Sequence, residues 1–214
     1  TNLFQIIMNK GGKILIIVLI ILAVGAATLG IILYQMFRTI DLSDYQHLVN
    51  PEINDYPDQR MLVVELTGDP NAISGEAISE LFQIYYKLPA DQRATGNQAP
   101  RARWTNIDNE DMNNLNGLYG LPVSSSLESP PANAPDNVSV QTWEYGDTAE
   151  ILHIGPYSEE DPTIAKLKQY ITEQGYKIIG DHEEVYLKGP GMFWRGDSNK
   201  YQTLIRYRVT KEQP

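Results

Sequence analysis

From Ile14 to Phe37 the chain carries no charged residue, reading ILIIVLIILAVGAATLGIILYQMF. Fifteen of these 24 positions are Ile, Leu, Val or Phe. As a helix the run would rise about 36 Å, against a hydrocarbon core of roughly 30 Å. Its apolar side chains would contribute roughly −5 to −9 kcal/mol to insertion, with no charge opposing them. A small globular domain seldom encloses such a segment on all sides, so the expectation is one transmembrane helix over 14–37. The run is longer than the apolar part of a cleavable leader, and no clear small-x-small site precedes the polar sequence. Lys10 and Lys13 precede it, while Arg38, Asp41 and Asp44 follow. The positive-inside bias then predicts a single-pass protein of the inner cell membrane. Its tail (1–13) would be cytoplasmic and its C-terminal domain periplasmic or otherwise extracytoplasmic. Within the run, Ala23, Ala26, Ala27 and Gly30 offer small-xxx-small spacing, through which a helix in the bilayer could pack on other membrane-protein subunits.

Charge is unevenly placed. Beyond Arg38 the chain holds 14 basic and 27 acidic residues. Such a balance suits solubility and the attraction of cations, and excludes a nucleic-acid partner, whose phosphates need a basic surface. There is no cysteine, which removes disulfides, thiol catalysis and thiolate metal sites. The histidines are His47, His153 and His182, without metal-ligand spacing. No metal and no cofactor are expected.

The rest of the sequence reads as a linker (38–60) and a soluble domain (61–214). The linker contains Pro51 and Pro57 and reads as irregular. Met61–Leu66 is a compact apolar strand ended by Gly68-Asp69-Pro70. A helix follows from about Ser74 to Leu88, with Ile78, Leu81, Phe82 and Tyr85 at helical spacing, a cap at Ser74 and a stop at Pro89. Arg101–Ile107 and Leu118–Val123 are plausible strands. After a connection at 124–137, Val138–Tyr145 and Ala149–Ile154 read as strands around the turn Gly146-Asp147. Asp161 and Pro162 open a second helix, lined by Ile164, Leu167 and Ile171 and closed by Gly175. Strands at Glu183–Leu187 and Thr203–Val209 complete the pattern. A shift of 86 positions lays Ile78, Leu81 and Tyr85 over Ile164, Leu167 and Ile171. The expected fold class is therefore α+β. One N-terminal transmembrane helix precedes a duplicated strand-helix-strand-strand domain (units 61–123 and 138–210), with an antiparallel sheet and two helices on one face.

The second unit resembles a known family. His153-Ile154-Gly155-Pro156-Tyr157 after a strand, the Gly175-Tyr176 helix exit and Glu184-Val185-Tyr186-Leu187 on the next strand are similar, in order and spacing, to the GyrI-like effector-binding domain. The resemblance covers about 143–209 well and 61–123 in outline. It implies a pocket between two units for small, often cationic and aromatic molecules. A glutamate of the Glu-x-Tyr strand meets the cation; here that is Glu184, with Tyr186 beside it. Strand alternation puts both on one face. Further candidates for the pocket are Trp143, Tyr157, Trp104 and Tyr119, whose ring faces attract cations. The chain departs from the family in its apolar N-terminal run, in an Asn/Asp-rich insertion at 108–116, and in Met192, Phe193 and Trp194. Those three are a candidate lid or partner contact.

Three functions are compatible with these residues. The first is a membrane-tethered, non-catalytic domain that binds small, cationic or aromatic molecules. The second is an accessory subunit of a membrane complex, its pocket idle or filled by Arg103, Arg206 or Arg208 of the same chain. The third is a hydrolase: some relatives open strained electrophilic rings with a pocket carboxylate and water, but the sequence offers no second acid beside Glu184, so no catalytic residue is assigned.

Overall fold

The computed structural model describes residues 16–20, 22–23, 40–96, 98–105, 114–190 and 196–212. The chain divides into two compact units, Thr1–Thr39 and Ile40–Pro214. In the first, residues 16–20 and 22–23 are helical and exposed. Among the described residues, no helix is long and apolar enough to cross a membrane. This overturns the expected N-terminal transmembrane helix. The remainder of 14–37, including Ala26, Ala27 and Gly30, lies outside the described residues, as does the tail 1–13. Ala23 is exposed. The expected inner-membrane and periplasmic placement rested on that span.

The second unit is mostly antiparallel sheet with few helices. Its strands are β1 (Glu52–Tyr56), β2 (Gln59–Gly68), β3 (Arg101–Trp104), β4 (Leu115–Pro122), β5 (Val138–Trp143), β6 (Gly146–Ile154), β7 (Tyr176–Ile178), β8 (His182–Lys188) and β9 (Gln202–Lys211). Helix α1 spans Pro70–Tyr85 and α2 spans Asp161–Glu173. The first helix starts a turn earlier than its apolar spacing implies. The Asp69 side chain accepts from Asn71 N at 2.9 Å and Pro70 takes the first helical position, so Ser74 lies inside the helix rather than capping it. At the other helix exit Gly175 has φ +73°, the left-handed conformation that a glycine adopts without strain.

The strand order is β1-β6-β9-β8-β3-β4-β2-β5, with β7 on the far end of β9, and all the described pairings are antiparallel. The halves thus exchange edge strands. β1 precedes β2 but pairs with β6, and β5 precedes β6 but pairs with β2. Two expectations are corrected here: residues 52–56 are a strand rather than irregular linker, and 138–143 does not form a hairpin with the strand that follows it. Both helices cover one face. Ala77, Leu81, Ile84 and Tyr85 of α1 pack on Leu62, Val64, Tyr119 and Leu121, while Leu167 and Ile171 of α2 pack on Ala149, Ile151 and Ile205. The other face is covered in part by the 3-10 stretch Leu42–Val49, whose Leu48 joins Leu152, Val185, Leu187 and Leu204.

A buried charge fastens the exchanged strand β1. Glu150 of β6 is fully buried and accepts from Arg206 Nε at 2.8 Å, Arg206 Nη2 at 2.7 Å and Asn54 Nδ2 at 3.2 Å. The Tyr56 hydroxyl also donates to it, and the Arg206 guanidinium lies over the Tyr56 ring at 4.8 Å. Burial and the Glu150 charge push the Tyr56 phenol up to about 12. Removing one partner of such a group leaves the other charge stranded out of water. Glu150→Ala is therefore expected to cost about 3–5 kcal/mol in urea unfolding. Tyr56→Phe, which removes one donor to that carboxylate and keeps the ring, should cost less, about 1.5–3 kcal/mol.

Candidate functional site

β8 lies between β3 and β9, so its residues are flanked on both sides. Glu184 sits opposite Ala102 of β3 and Ile205 of β9. The pleat turns His182, Glu184 and Tyr186 to the helix-bearing face, and Glu183, Val185 and Leu187 to the other. The Glu184 carboxylate is held from both sides. His182 Nε2 donates to Oε1 at 3.0 Å, and the Tyr186 hydroxyl donates to Oε2 at 2.7 Å. His182 is itself oriented, because its Nδ1 meets the Tyr207 hydroxyl at 2.8 Å and its side chain is fully buried. The Glu184 side chain keeps 14 % exposure. A charged carboxylate is thus fixed at the edge of the core rather than sealed within it.

Aromatic rings surround this carboxylate. Tyr157 meets Tyr186 edge-on at 5.6 Å and Tyr201 at 5.4 Å. Tyr119 meets Trp104 edge-on at 5.6 Å, and both are buried. The Tyr119 hydroxyl lies 2.8 Å from Ser74 Oγ; since Ser74 donates its proton to the Pro70 carbonyl at 2.6 Å, Tyr119 is the donor. Close packing at this corner requires Gly117, where an added Cβ would come within 2.8 Å of both the Trp104 and Tyr119 rings. Burial raises the Tyr119 phenol to about 12 and holds those of Tyr157 and Tyr186 well above the ordinary value, with the Glu184 charge adding to the shift. All three remain neutral donors at physiological pH.

A second carboxylate stands at the same end. Glu160, the residue before α2, is 5 % exposed, and its Oε1 has no hydrogen-bond partner among the described residues. Burial, and then the Glu184 carboxylate, push it from 4.5 up to about 8. Of the expected pocket residues, the structure gathers Glu184, Tyr186, Tyr157, Tyr119 and Trp104 on the helix-bearing side. Trp143 is not among them. It pairs with Gln59 of β2, packs with Met61, Val63 and Tyr145, and carries the Arg103 guanidinium over its ring at 4.3 Å, all on the opposite face. Met192, Phe193 and Trp194 lie outside the described residues. Sequence reasoning missed Glu160, His182, Ser74 and Tyr201. His182 was within reach, since it stands two residues before Glu184 on the same strand face.

The arginines offered as internal counter-ions do not pair with Glu184. Arg103 donates to Glu183 at 2.7 Å, Arg206 to Glu150, and Arg208 to Glu144. Each pair lies on the opposite face of the sheet.

The model of the GyrI-like small molecule binding domain matches residues 49–209, and the chain belongs to that family. It is accordingly a small-molecule-binding domain. Solved structures with the same fold include an uncharacterized conserved protein from Listeria innocua, 20 % identical with a TM-score of 0.63, covering 80 % of this chain and 100 % of its own. A hydrolase from Listeria innocua is 19 % identical with a TM-score of 0.59, covering 81 % and 100 %. The EcmrR C-terminal domain is 15 % identical with a TM-score of 0.61, covering 76 % and 98 %. No curated protein matches the chain.

The raised Glu160 value has a consequence for stability. Between about pH 4.5 and 8 the folded chain holds a proton that the unfolded chain releases. This contribution is fully present below pH 4.5 and is lost as pH rises towards 8. Urea midpoints of the wild type should therefore fall across that window more steeply than those of Glu160→Gln. Parallel pH profiles for the two proteins would contradict this.

Proposed function

We propose that the helix-bearing cleft binds small organic cations with a flat apolar body, and that Glu184 is their counter-charge. The observation that carries this reading is the fixed, partly exposed carboxylate among tyrosine rings, with no lysine or arginine paired to it among the described residues. A carboxylate in such surroundings is costly unless a cation answers it, and the ring faces favour the same cation. The orienting bonds from His182 and Tyr186 hold the oxygens in place before a ligand arrives, which reduces the ordering cost of binding. Benzyltrimethylammonium titrated into the full chain should saturate in calorimetry, and its neutral carbon isostere should bind far more weakly. Glu184→Gln should weaken the cation about 10- to 100-fold and leave the isostere unchanged. Equal loss for both compounds would mean that the residue shapes the cleft without meeting charge.

One observation favours a hydrolytic reading as the alternative. Glu160 is raised to about 8 and so carries a proton near neutrality beside Glu184, the pairing of acid and base that ring-opening by water requires. Turnover of styrene oxide above the buffer rate, abolished by Glu160→Gln while benzyltrimethylammonium still binds, would establish it. No turnover by the wild type would dismiss it.

A further inference from the structure

The face of the sheet away from the helices holds a cavity of about 320 Å³, within the size range of small-molecule sites. Its lining includes Arg103, Arg206, Arg208, Trp143, Tyr145 and Leu118. The pleat separates it from the Glu184 cleft, since Glu183 and not Glu184 borders it.

Three carboxylates, Glu144, Asp181 and Glu183, line it beside the three guanidiniums. Two of its buried donors, Arg208 Nε and Trp143 Nε1, have no acceptor among the described residues. The chain at Ile179–Gly180 closes over Arg208. Ile179 N donates to the Arg208 carbonyl at 2.9 Å, and an added Cβ on Gly180 would come within 2.8 Å of Arg208 Cβ. Two of the three guanidiniums have buried counter-ions, Arg103 in Glu183 and Arg206 in Glu150. The counter-ion of Arg208 is different: the Glu144 side chain is 68 % exposed. An ion pair so open to solvent contributes little and is readily exchanged. Both unmet N–H groups would be satisfied by an acceptor, such as an anion or a carbonyl. The planar guanidinium matches a carboxylate, and Leu118 and the edge of the Trp143 indole border the same space.

We propose that this cavity is a second ligand site, which takes a small carboxylate with a flat apolar body. The ligand's carboxylate displaces Glu144 from Arg208, and its ring lies in the space lined by Trp143 and Leu118.

Benzoate titrated into the full chain, followed by amide NMR, tests the assignment. Saturable shifts are expected at Trp143 and Gly180, with none from benzylammonium. Arg208→Gln should weaken benzoate about tenfold, and Trp143→Phe, which keeps a ring but loses the N–H, should weaken it several-fold. Glu144→Gln alters only an exposed residue and removes the competing carboxylate, so it should tighten benzoate a few-fold. Glu184→Gln should change nothing. The proposal is overturned if benzoate fails to saturate in the millimolar range, if Glu144→Gln and Arg208→Gln both leave its affinity unchanged, or if inorganic phosphate produces the same shifts with equal affinity.

Discussion

Four residue pairs join β3 to β8, from Arg101 opposite Val185 to Trp104 opposite His182, and through them the two halves of the sheet become one. The charge buried at that seam is Glu183, 2 % exposed. It accepts from Arg103 Nε at 2.7 Å across the pairing and from the Tyr145 hydroxyl at 3.0 Å, while Tyr145 in turn accepts from Arg101 at 2.7 Å. Arg206 of β9 stands 3.9 Å away on the other side. Strands from both halves, and the loop entering β6, are thus tied to a single carboxylate. A buried charge so served is costly to disturb, and it fixes the register in which His182, Glu184 and Tyr186 must then face the helices.

Neighbouring positions of β8 therefore do opposite work. Glu183 is consumed by the fold, with three guanidiniums from two strands around it. Among the described residues Glu184 accepts only from His182 and Tyr186, and its side chain keeps 14 % exposure. The arginines lie on the other face of the sheet, so none of them pairs with Glu184. This placement also concentrates guanidinium groups beneath the seam, where the carboxylates of β6 and β8 answer most of them. The small-molecule binding that defines the family is thus compatible with a chain that is acidic throughout its second unit.

Local chemistry made several elements legible in the sequence. Pro162 and Gly175 mark the ends of α2 by φ preference, although Asp161 is the first helical residue and caps nothing, and the apolar run at 61–66 reads as a strand, buried over 61–64. That Glu184 and Tyr186 share a face follows from a period of two. What was not legible depends on partners far away in the chain. Glu52–Tyr56, flanked by prolines, is strand only because β6 supplies its hydrogen bonds about 95 residues later. Trp143 goes to the opposite face because its strand pairs with β2 instead of turning back on β6. Glu160 stands in the run Glu159-Glu160-Asp161, where three acids before a helix read as solvated charge, and only the packed fold reveals which one is buried. The apolar run at 14–37 shows the converse. Hydropathy there expresses a preference for leaving water, and among the described residues no helix is long and apolar enough to cross a membrane.

The exchange of β1 and β5 between the halves has a bearing on how such a molecule is put together. Each half is incomplete by one edge strand and completes the other, so neither contains the whole of its own sheet margin. This is the geometry of two copies reciprocally swapping an arm, written here into one polypeptide. The segment 124–137 between β4 and β5 sets the ratio of the halves at one to one and frees each to diverge. One half could then carry the Glu-x-Tyr strand and the exchanged strand with Trp143, while the other supplies Tyr119 and Trp104.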